Sequence, residues 1–270
     1  MYNRSFHFIP SHRKEFFKKL NDLSADHFVI DLEDGVPEAL IDIGKKNILE
    51  FANDYKNKNI WIRVHDEESE YFNDDLQFVE KFQNCGIIIP KFKPNSWGKY
   101  ISFKKKIILI ESLMDLNQIS LFSNELKKMD LFAIGLGLED MLTGFYQNNE
   151  SLKNLINHIR AYFIIINKSI CNILLDGVFT NYKDNELFYE DCKESLSYGY
   201  SGRFSIHPNQ ISIINNIYNI NEDDYKYAQK IISLSKQKDY PGYSIIDGML
   251  LTPPKIEKSK TILSKGLNDE

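Results

Sequence analysis

Short apolar runs alternate along this chain with longer stretches of helical period. Residues 5–10, 28–32, 60–64, 86–91, 107–112, 130–140, 171–178 and 202–208 each carry a run too continuous to keep a wet face, and each reads as a buried strand. Between them the apolar positions recur at helical spacing, as in Leu40, Ile41, Ile48 and Phe51, which predicts helices over 14–23, 38–53, 74–82 and 98–104. Further helices are expected over the amphipathic run after Ser112 and over 141–146, 152–168 and 186–197. Strands alternating with helices at this pace imply a parallel sheet. About eight β/α units in 270 residues fit a (β/α)8 TIM barrel, for which about 250 residues is typical, and a doubly wound open sheet is the other topology. No low-complexity linker interrupts the pattern, so residues 1–270 read as one barrel domain. From about 221 to 270 a helical C-terminal extension follows, with helices over 221–236 and 254–264 either side of Asp239-Tyr240-Pro241-Gly242. Such an appendage is expected to pack on the barrel or on a neighbouring subunit.

The unit from Ile107 to Asp140 concentrates the chemistry. Ile107-Ile108-Leu109-Ile110 stops on Glu111, and the run through Ala133-Ile134-Gly135-Leu136 stops on Glu139-Asp140. In a parallel sheet those ends lie side by side, so Glu111 and Asp140 could share one divalent cation. For either residue alone, a helix cap or a solvated loop charge is the better reading; the repetition favours the metal.

Composition narrows the class. With 43% hydrophobic residues the chain can bury a large core, and a net charge of -5 with interspersed signs gives no reason to expect nucleic acid as a partner. No apolar run approaches the ~20 residues of a membrane span, and the N-terminus lacks a signal-like core, so no membrane partner and a cytoplasmic location are expected. Cys85, Cys171 and Cys192 are far apart, lack CxxC spacing and read as buried thiols.

In a barrel, chemistry gathers at the C-terminal strand ends. Those ends carry Ser11, His12 and Arg13, then Glu33 and Asp34, Arg63, Lys91, Glu111, Glu139 and Asp140, Asp176, and His207. The opposite ends begin with residues such as Asn3, His27, Asn59, Asn84 and Asn172, and this asymmetry favours an active site. Arg63 is either the partner of a structural carboxylate or the grip for a substrate carboxylate, and we favour the second. Lys91 suggests a Schiff base, but neighbouring carboxylates would keep it protonated, so an electrostatic role is preferred. His12, His65 and His207 suit structural or solvent-facing roles as well as chemistry, and Asp176-Gly177 is balanced between substrate contact and turn. Gly135-Leu136-Gly137 is not a dinucleotide loop, because Glu139 and Asp140 would repel a pyrophosphate.

These motifs resemble the citrate lyase β-subunit-like branch of the HpcH/HpaI aldolase superfamily. The resemblance runs from Arg4 to about Pro253 and rests on Arg4-Ser5 through Pro10 with Arg13, Asp31-Leu32-Glu33-Asp34, Ile62-Arg63-Val64, Pro90-Lys91, Leu109-Ile110-Glu111-Ser112, Gly137-Leu138-Glu139-Asp140, Asp176-Gly177-Val178 and Ile206-His207-Pro208-Asn209-Gln210. It implies a (β/α)8 barrel assembled as a homotrimer or hexamer. The implied activity is that of a carbon-carbon lyase or aldolase using Mg2+, with Mn2+ as an alternative, on a small hydroxy or keto acid or its CoA thioester. It further implies that Glu111 and Asp140 ligate the metal, that Arg63 grips a carboxylate or carbonyl oxygen, and that Glu33 and Asp34 orient metal waters and relay protons. Arg13 would face the substrate's acidic end, with Lys91 contributing charge beside it.

One departure stands out. Relatives of the malyl-CoA lyase and malate synthase types carry a C-terminal Gly-x-Met-Ile-Asp-x-Pro whose aspartate acts in a neighbour's site, whereas this chain reads Asp247-Gly248-Met249-Leu250-Leu251-Thr252-Pro253. Leu251 cannot move a proton, so Asp247, Glu33 and His207 become candidate bases. Three readings follow in order of preference: a metal-dependent lyase, a thioester hydrolase of the same fold, and a non-catalytic metal- or ligand-binding homologue.

Overall fold

A computed structural model of the chain describes residues 2–51, 57–145, 149–236, 244–246 and 248–265. They fall into two compact units, Asn3–Ile217 and a second made of Tyr218–Glu270 with the first two residues. The second unit takes in the segment read above as an extension.

The first unit is a closed barrel of eight parallel strands in sequential order: β1 (Ser5–Pro10), β2 (His27–Asp31), β3 (Ile60–Arg63), β4 (Gly86–Ile89), β5 (Lys106–Ile110), β6 (Ala133–Leu136), β7 (Leu174–Asp176) and β8 (Gly202–Ser205). β8 pairs back onto β1 through Ser5↔Arg203 and Phe6↔Phe204, which closes the ring and settles the topology against an open sheet. The strands form because both faces are buried. One face packs on the outer helices, and the other supplies Phe6, Val29, Trp61, Ile88, Leu109 and Phe204 to the barrel interior.

Glycine makes this interior fit. A Cβ on Gly86 would come within 2.2 Å of the Trp61 ring, and one on Gly135 within 2.6 Å of Phe204 and 2.7 Å of Leu109. Trp61 donates its Nε1 hydrogen to His27 Nδ1 at 3.1 Å, so the largest interior ring leaves no polar atom unsatisfied.

Because side chains alternate along a strand, the next inward position lies two residues further on. Beyond Val29, Trp61, Leu109 and Gly135 those positions are Asp31, Arg63, Glu111 and Gly137. The polar floor of the barrel mouth is therefore the apolar interior pattern continued by one step.

Several helices differ from their expected forms. The 98–104 helix is a 3-10 turn at Pro94–Tyr100, and the run after Ser112 breaks into Leu113–Gln118, a 3-10 turn at Ile119–Phe122, and Ser123–Lys128. A helix at Leu138–Met141 contains Glu139-Asp140 rather than following them, so Asp140 stands in a helical first turn. The helix Pro208–Ile217 had no counterpart in the periodicity reading, which ran the eighth strand through Pro208. Proline at its first position fixes a helical φ and forgoes only an N–H that needs no partner there.

Outside the barrel, Asp176 and Arg203 share a register position and join Arg160 and Asp191 in a buried network. Arg160 lies 2.9 Å from each aspartate, and Arg203 lies 2.6 Å from Asp191 and 3.6 Å from Asp176. Burial works against Asp191's charge, but the two arginines hold its carboxyl down at about 2. Asp176 is thus part of the frame joining β7 and β8 to the outer helices.

The second unit pairs the helices Glu222–Ser235 and Pro253–Lys265 and adds an antiparallel pair absent from the sequence reading, β9 (Ser244–Ile246) and β10 (Met249–Leu251). Leu251 is fully buried among Ile231, Leu234 and Ile256. Asp247 lies outside the described residues. Among the described residues, no helix is long and apolar enough to cross a membrane.

Candidate active site

The C-terminal mouth of the barrel opens into a cavity of about 540 Å³. Asp31, Asp34, Arg63, Glu111, Glu139 and Asp140 give it one charged side, and Phe8, Leu109, Val178 and Phe204 an apolar one.

Asp31 anchors the charged side. It ends β2, is buried, and takes the Arg63 guanidinium on both oxygens, from Nε and from Nη2, each at 2.7 Å. The backbone N–H groups of Glu33 and Gly35 add bonds at 3.0 and 2.9 Å. Burial disfavours the Asp31 carboxylate, yet Arg63 and these two N–H groups hold its pKa below the ordinary aspartate range. Arg63 also rests over the Phe8 ring at 4.9 Å. Its Nη1 donates to Asp34 Oδ2 at 3.2 Å. Of the five guanidinium hydrogens, two, one on Nη1 and one on Nη2, have no hydrogen-bond acceptor among the described residues.

Glu33 follows immediately. One of its oxygens accepts from Lys91 Nζ at 2.9 Å. The other, Oε2, lies 3.2 Å from Arg63 Nη1 without hydrogen-bonding geometry, so this buried oxygen has no donor among the described residues. Burial above all, assisted by Asp34, pushes Glu33 up to about 7 despite Arg63 and Lys91.

Lys91 serves the site twice. Its backbone is left-handed, with φ of 43°, a conformation that costs a side-chain-bearing residue roughly 1–2 kcal/mol. That turn aims its N–H at Glu111 Oε2, 2.8 Å away, while its ammonium reaches Glu33 and comes within 3.7 Å of Asp34 and 3.6 Å of Asp66. Burial opposes the charge, but Glu33 leads the carboxylates that keep the lysine protonated well beyond neutral pH. A neutral Schiff-base nucleophile is therefore not what this environment prepares.

Glu111 stands one residue past β5 and is buried. Burial first, and the charge of Glu33 second, push it up to about 7. Asp140 reaches the same space from the end of β6, where Ile110 pairs with Leu136, and is exposed. Both carboxylates also line a second cavity of about 250 Å³ that contains Asp66, Glu68 and Asp115. Gly137 makes room for Glu111, since a Cβ there would sit 2.2 Å from Glu111 Cγ and 2.9 Å from Oε1.

This donor set suits a hard divalent cation. Among the described residues no donor reaches Glu111 Oε1 and no group of three or more His, Cys, Asp or Glu could close around a metal. Two carboxylates are what Mg2+ commonly takes from a protein, with water and substrate oxygens filling the octahedron. An all-protein zinc site would need more ligands and softer ones.

The other sequence candidates lie apart. Arg13 is 55% exposed, pairs with Glu15 at 3.4 Å and does not line the cavity. His207 stacks on Tyr182 with ring centroids 4.8 Å apart, and His65 bonds the buried Asp75 at 2.6 Å. His12 Nε2 accepts from Arg13 Nε at 3.2 Å. Asp31, Gly35 and Gly137 received no role in the sequence reading. The signal for Asp31 was its place two residues beyond Val29 on an inward face.

An eight-stranded parallel barrel with acidic and basic side chains gathered at its C-terminal rim defines a TIM barrel with its candidate active site at the C-terminal face. The chain belongs to the family described as C-C_Bond_Lyase of the TIM-Barrel fold, which matches residues 130–266, and its residues 4–96 match HpcH/HpaI aldolase/citrate lyase. Among curated proteins it is 23% identical to a citrate lyase subunit beta-like protein of Deinococcus radiodurans, over 97% of this chain and 96% of that one. It is 24% identical to a (3S)-malyl-CoA thioesterase of Cereibacter sphaeroides, over 97% and 94%. Among solved structures, CitE of Mycobacterium tuberculosis in complex with magnesium, acetoacetate and coenzyme A superposes with a TM-score of 0.74 at 19% identity, covering 98% of each chain.

Proposed function

We propose that this protein is a divalent-metal-dependent carbon-carbon lyase acting on a small hydroxy acid or its CoA thioester. The observation that carries the proposal is the pairing of Glu111 and Asp140 at the barrel mouth, one buried and pushed up to about 7, beside an arginine fixed by Asp31. The family and the named relatives support the reaction class.

A Mg2+ or Mn2+ ion held by Glu111 and Asp140 would supply positive charge that polarises substrate carbonyl and carboxylate oxygens. The protein's own groups do the rest. Asp31 presents Arg63 in one orientation, so its remaining Nη2 hydrogen meets a substrate oxygen without reorganisation. Glu33, with a buried oxygen that lacks a donor among the described residues and a carboxyl pushed up to about 7, is the candidate base. It lines the adjoining cavity with Asp34 and Lys91, so Asp34 is the residue common to it and the larger cavity. In the cleavage direction Glu33 takes the hydroxyl proton and that oxygen's electrons form a carbonyl. The carbon-carbon bond breaks, and its electron pair becomes the enolate of the other fragment. Asp34 and Lys91 hold Arg63 and Glu33 in place. Glu33 would thereby do the work that Leu251 cannot.

A thioester hydrolase is the second reading, favoured by the similarity to the malyl-CoA thioesterase. Calorimetric titration of Mg2+ with pyruvate tests the site: binding is expected in the wild type and lost in Glu111→Gln, and binding that survives the substitution removes the metal assignment. Product analysis on a 3-hydroxyacyl-CoA then separates the readings. Two carbon fragments identify a lyase, an intact acid plus free CoA a hydrolase, and binding without turnover the non-catalytic homologue.

A further inference from the structure

We infer that the site selects a 2-oxo acid whose remaining substituent is apolar and discriminates against one bearing a second carboxylate. The inference rests on the metal and oxo-acid reading above and concerns what the rest of the cavity accepts.

The apolar part of the lining is built from Phe8, Leu109, Leu138, Val178, Phe204 and Ile206. Leu109 and Phe204 are buried and rigidly seated, because Gly135 leaves the space they fill and Phe8 packs on Phe204 at 5.4 Å. The Thr180 hydroxyl is the neutral polar side chain that joins this wall among the described residues.

The cations point the same way. Among the described residues Arg63 alone of the lysines and arginines lines this cavity, and Asp31 and Asp34 already occupy three of its hydrogens. Lys91 is committed to Glu33, and Arg13, which the resemblance would place at an acidic end of the substrate, stands in solvent with Glu15. Five lining carboxylates, Asp31, Asp34, Glu111, Glu139 and Asp140, face that one guanidinium. A divalent cation offsets Glu111 and Asp140, and Arg63 offsets Asp31. Asp34 and Glu139 keep the cavity negative. One substrate carboxylate has the cation as partner. A second would lose water against a largely apolar wall and meet repulsion from Asp34 and Glu139, with the Thr180 hydroxyl as the neutral side-chain donor there among the described residues.

The test uses two acids of one shape, 2-oxopentanoate and 2-oxoglutarate, which differ in a terminal methyl or carboxylate. Each is titrated calorimetrically into the full chain with saturating Mg2+, and pyruvate serves as the small reference. The expected result is that 2-oxopentanoate binds at least about tenfold more tightly than 2-oxoglutarate. Ile206→Arg, at a half-exposed rim position of the wall, is expected to tighten 2-oxoglutarate by about tenfold. Equal or tighter binding of 2-oxoglutarate to the wild type overturns the selectivity while leaving the metal and oxo-acid reading intact. So does failure of 2-oxopentanoate to bind where pyruvate does. If none of the three acids binds with Mg2+, the underlying reading falls and the selectivity with it.

Discussion

Replacing Gly137 with alanine should disable the proposed cation site through a single methyl group. The residue has φ of -93° and ψ of 77°, which alanine adopts without a left-handed penalty, so backbone strain contributes nothing. Elsewhere such a change commonly stabilises a protein, by roughly 0.4–1 kcal/mol through the unfolded state. Here the new Cβ would lie 2.2 Å from Glu111 Cγ, where carbon atoms settle at about 3.5–4.0 Å, so one group must retreat by more than about 1 Å. Glu111 is the group able to move, and it moves at the expense of its bond from the Lys91 N–H at 2.8 Å. Overpacking of this kind costs about 1–3 kcal/mol, and displacing a carboxylate ligand by an ångström should weaken the metal by tenfold or more, roughly the effect of losing a ligand's support. The assay is paired: thermal unfolding of the metal-free protein, and calorimetry with Mn2+. Gly137→Ala should melt lower by several degrees, with at least about tenfold weaker Mn2+ binding. An unchanged melting temperature together with Mn2+ affinity within twofold of wild type would refute the steric argument.

Three further outcomes follow from other parts of the structure. Burial first, and the charge of His207 second, push folded His7 down to about 4 from 6.5, although Ser205 Oγ lies 2.9 Å from its Nδ1. Between those values the unfolded chain binds a proton at this residue that the native chain refuses, so the His7 contribution to stability falls as pH falls, by about 1.4 kcal/mol per pH unit and about 3 kcal/mol in all, while Glu33 and Glu111, pushed up to about 7, contribute in the opposite sense. Urea unfolding from pH 7 to 4.5 should show His7→Gln gaining stability relative to the wild type as pH falls, and parallel curves would remove His7 as a source of the pH dependence. Leu251→Asp should not restore a proton carrier; it should destabilise the second unit by about 4 kcal/mol or more, because the carboxylate replaces core packing among Ile231, Leu234 and Ile256. A stable, more active variant would count against that placement. Finally, Lys91→Gly should be more stable than Lys91→Ala by about 1 kcal/mol, since both lose the ammonium but only alanine keeps the left-handed penalty at φ of 43°. Equal denaturation midpoints would contradict the strained turn.

Much of this architecture was written in hydrophobic periodicity. Runs such as Ile107-Ile108-Leu109-Ile110 admit a strand buried on both faces and little else, which is why all eight barrel strands were legible and their ends were right to within a few residues. Charges at one set of strand ends likewise pointed to the candidate site, and Asp34, Arg63, Glu111, Glu139 and Asp140 line one cavity there. What periodicity could not convey was partnership. Arg63 was weighed between a structural carboxylate and a substrate, and the structure ties it to Asp31 and Asp34 while leaving two hydrogens without an acceptor among the described residues, an outcome that depends on how β2 and β3 are registered. Asp176 read as a loop or contact residue because nothing local reveals that Arg160 and Arg203 converge on it. The strands in the second unit escaped notice because each is three residues long, too short for alternation to register.

The two-residue step that carries the barrel interior into its mouth has a further consequence for how this protein can change. Val29 and Asp31, Trp61 and Arg63, and Leu109 and Glu111 each share one face of one strand, so packing and chemistry are read in the same frame. Inserting or deleting a single residue inside any of these strands would turn the charged group outward and the apolar one with it. Loops beyond the strand ends are free of that coupling. A change of loop length beyond the strand ends, or a side-chain substitution in the apolar wall, can therefore alter substrate preference without touching the register that keeps the barrel closed.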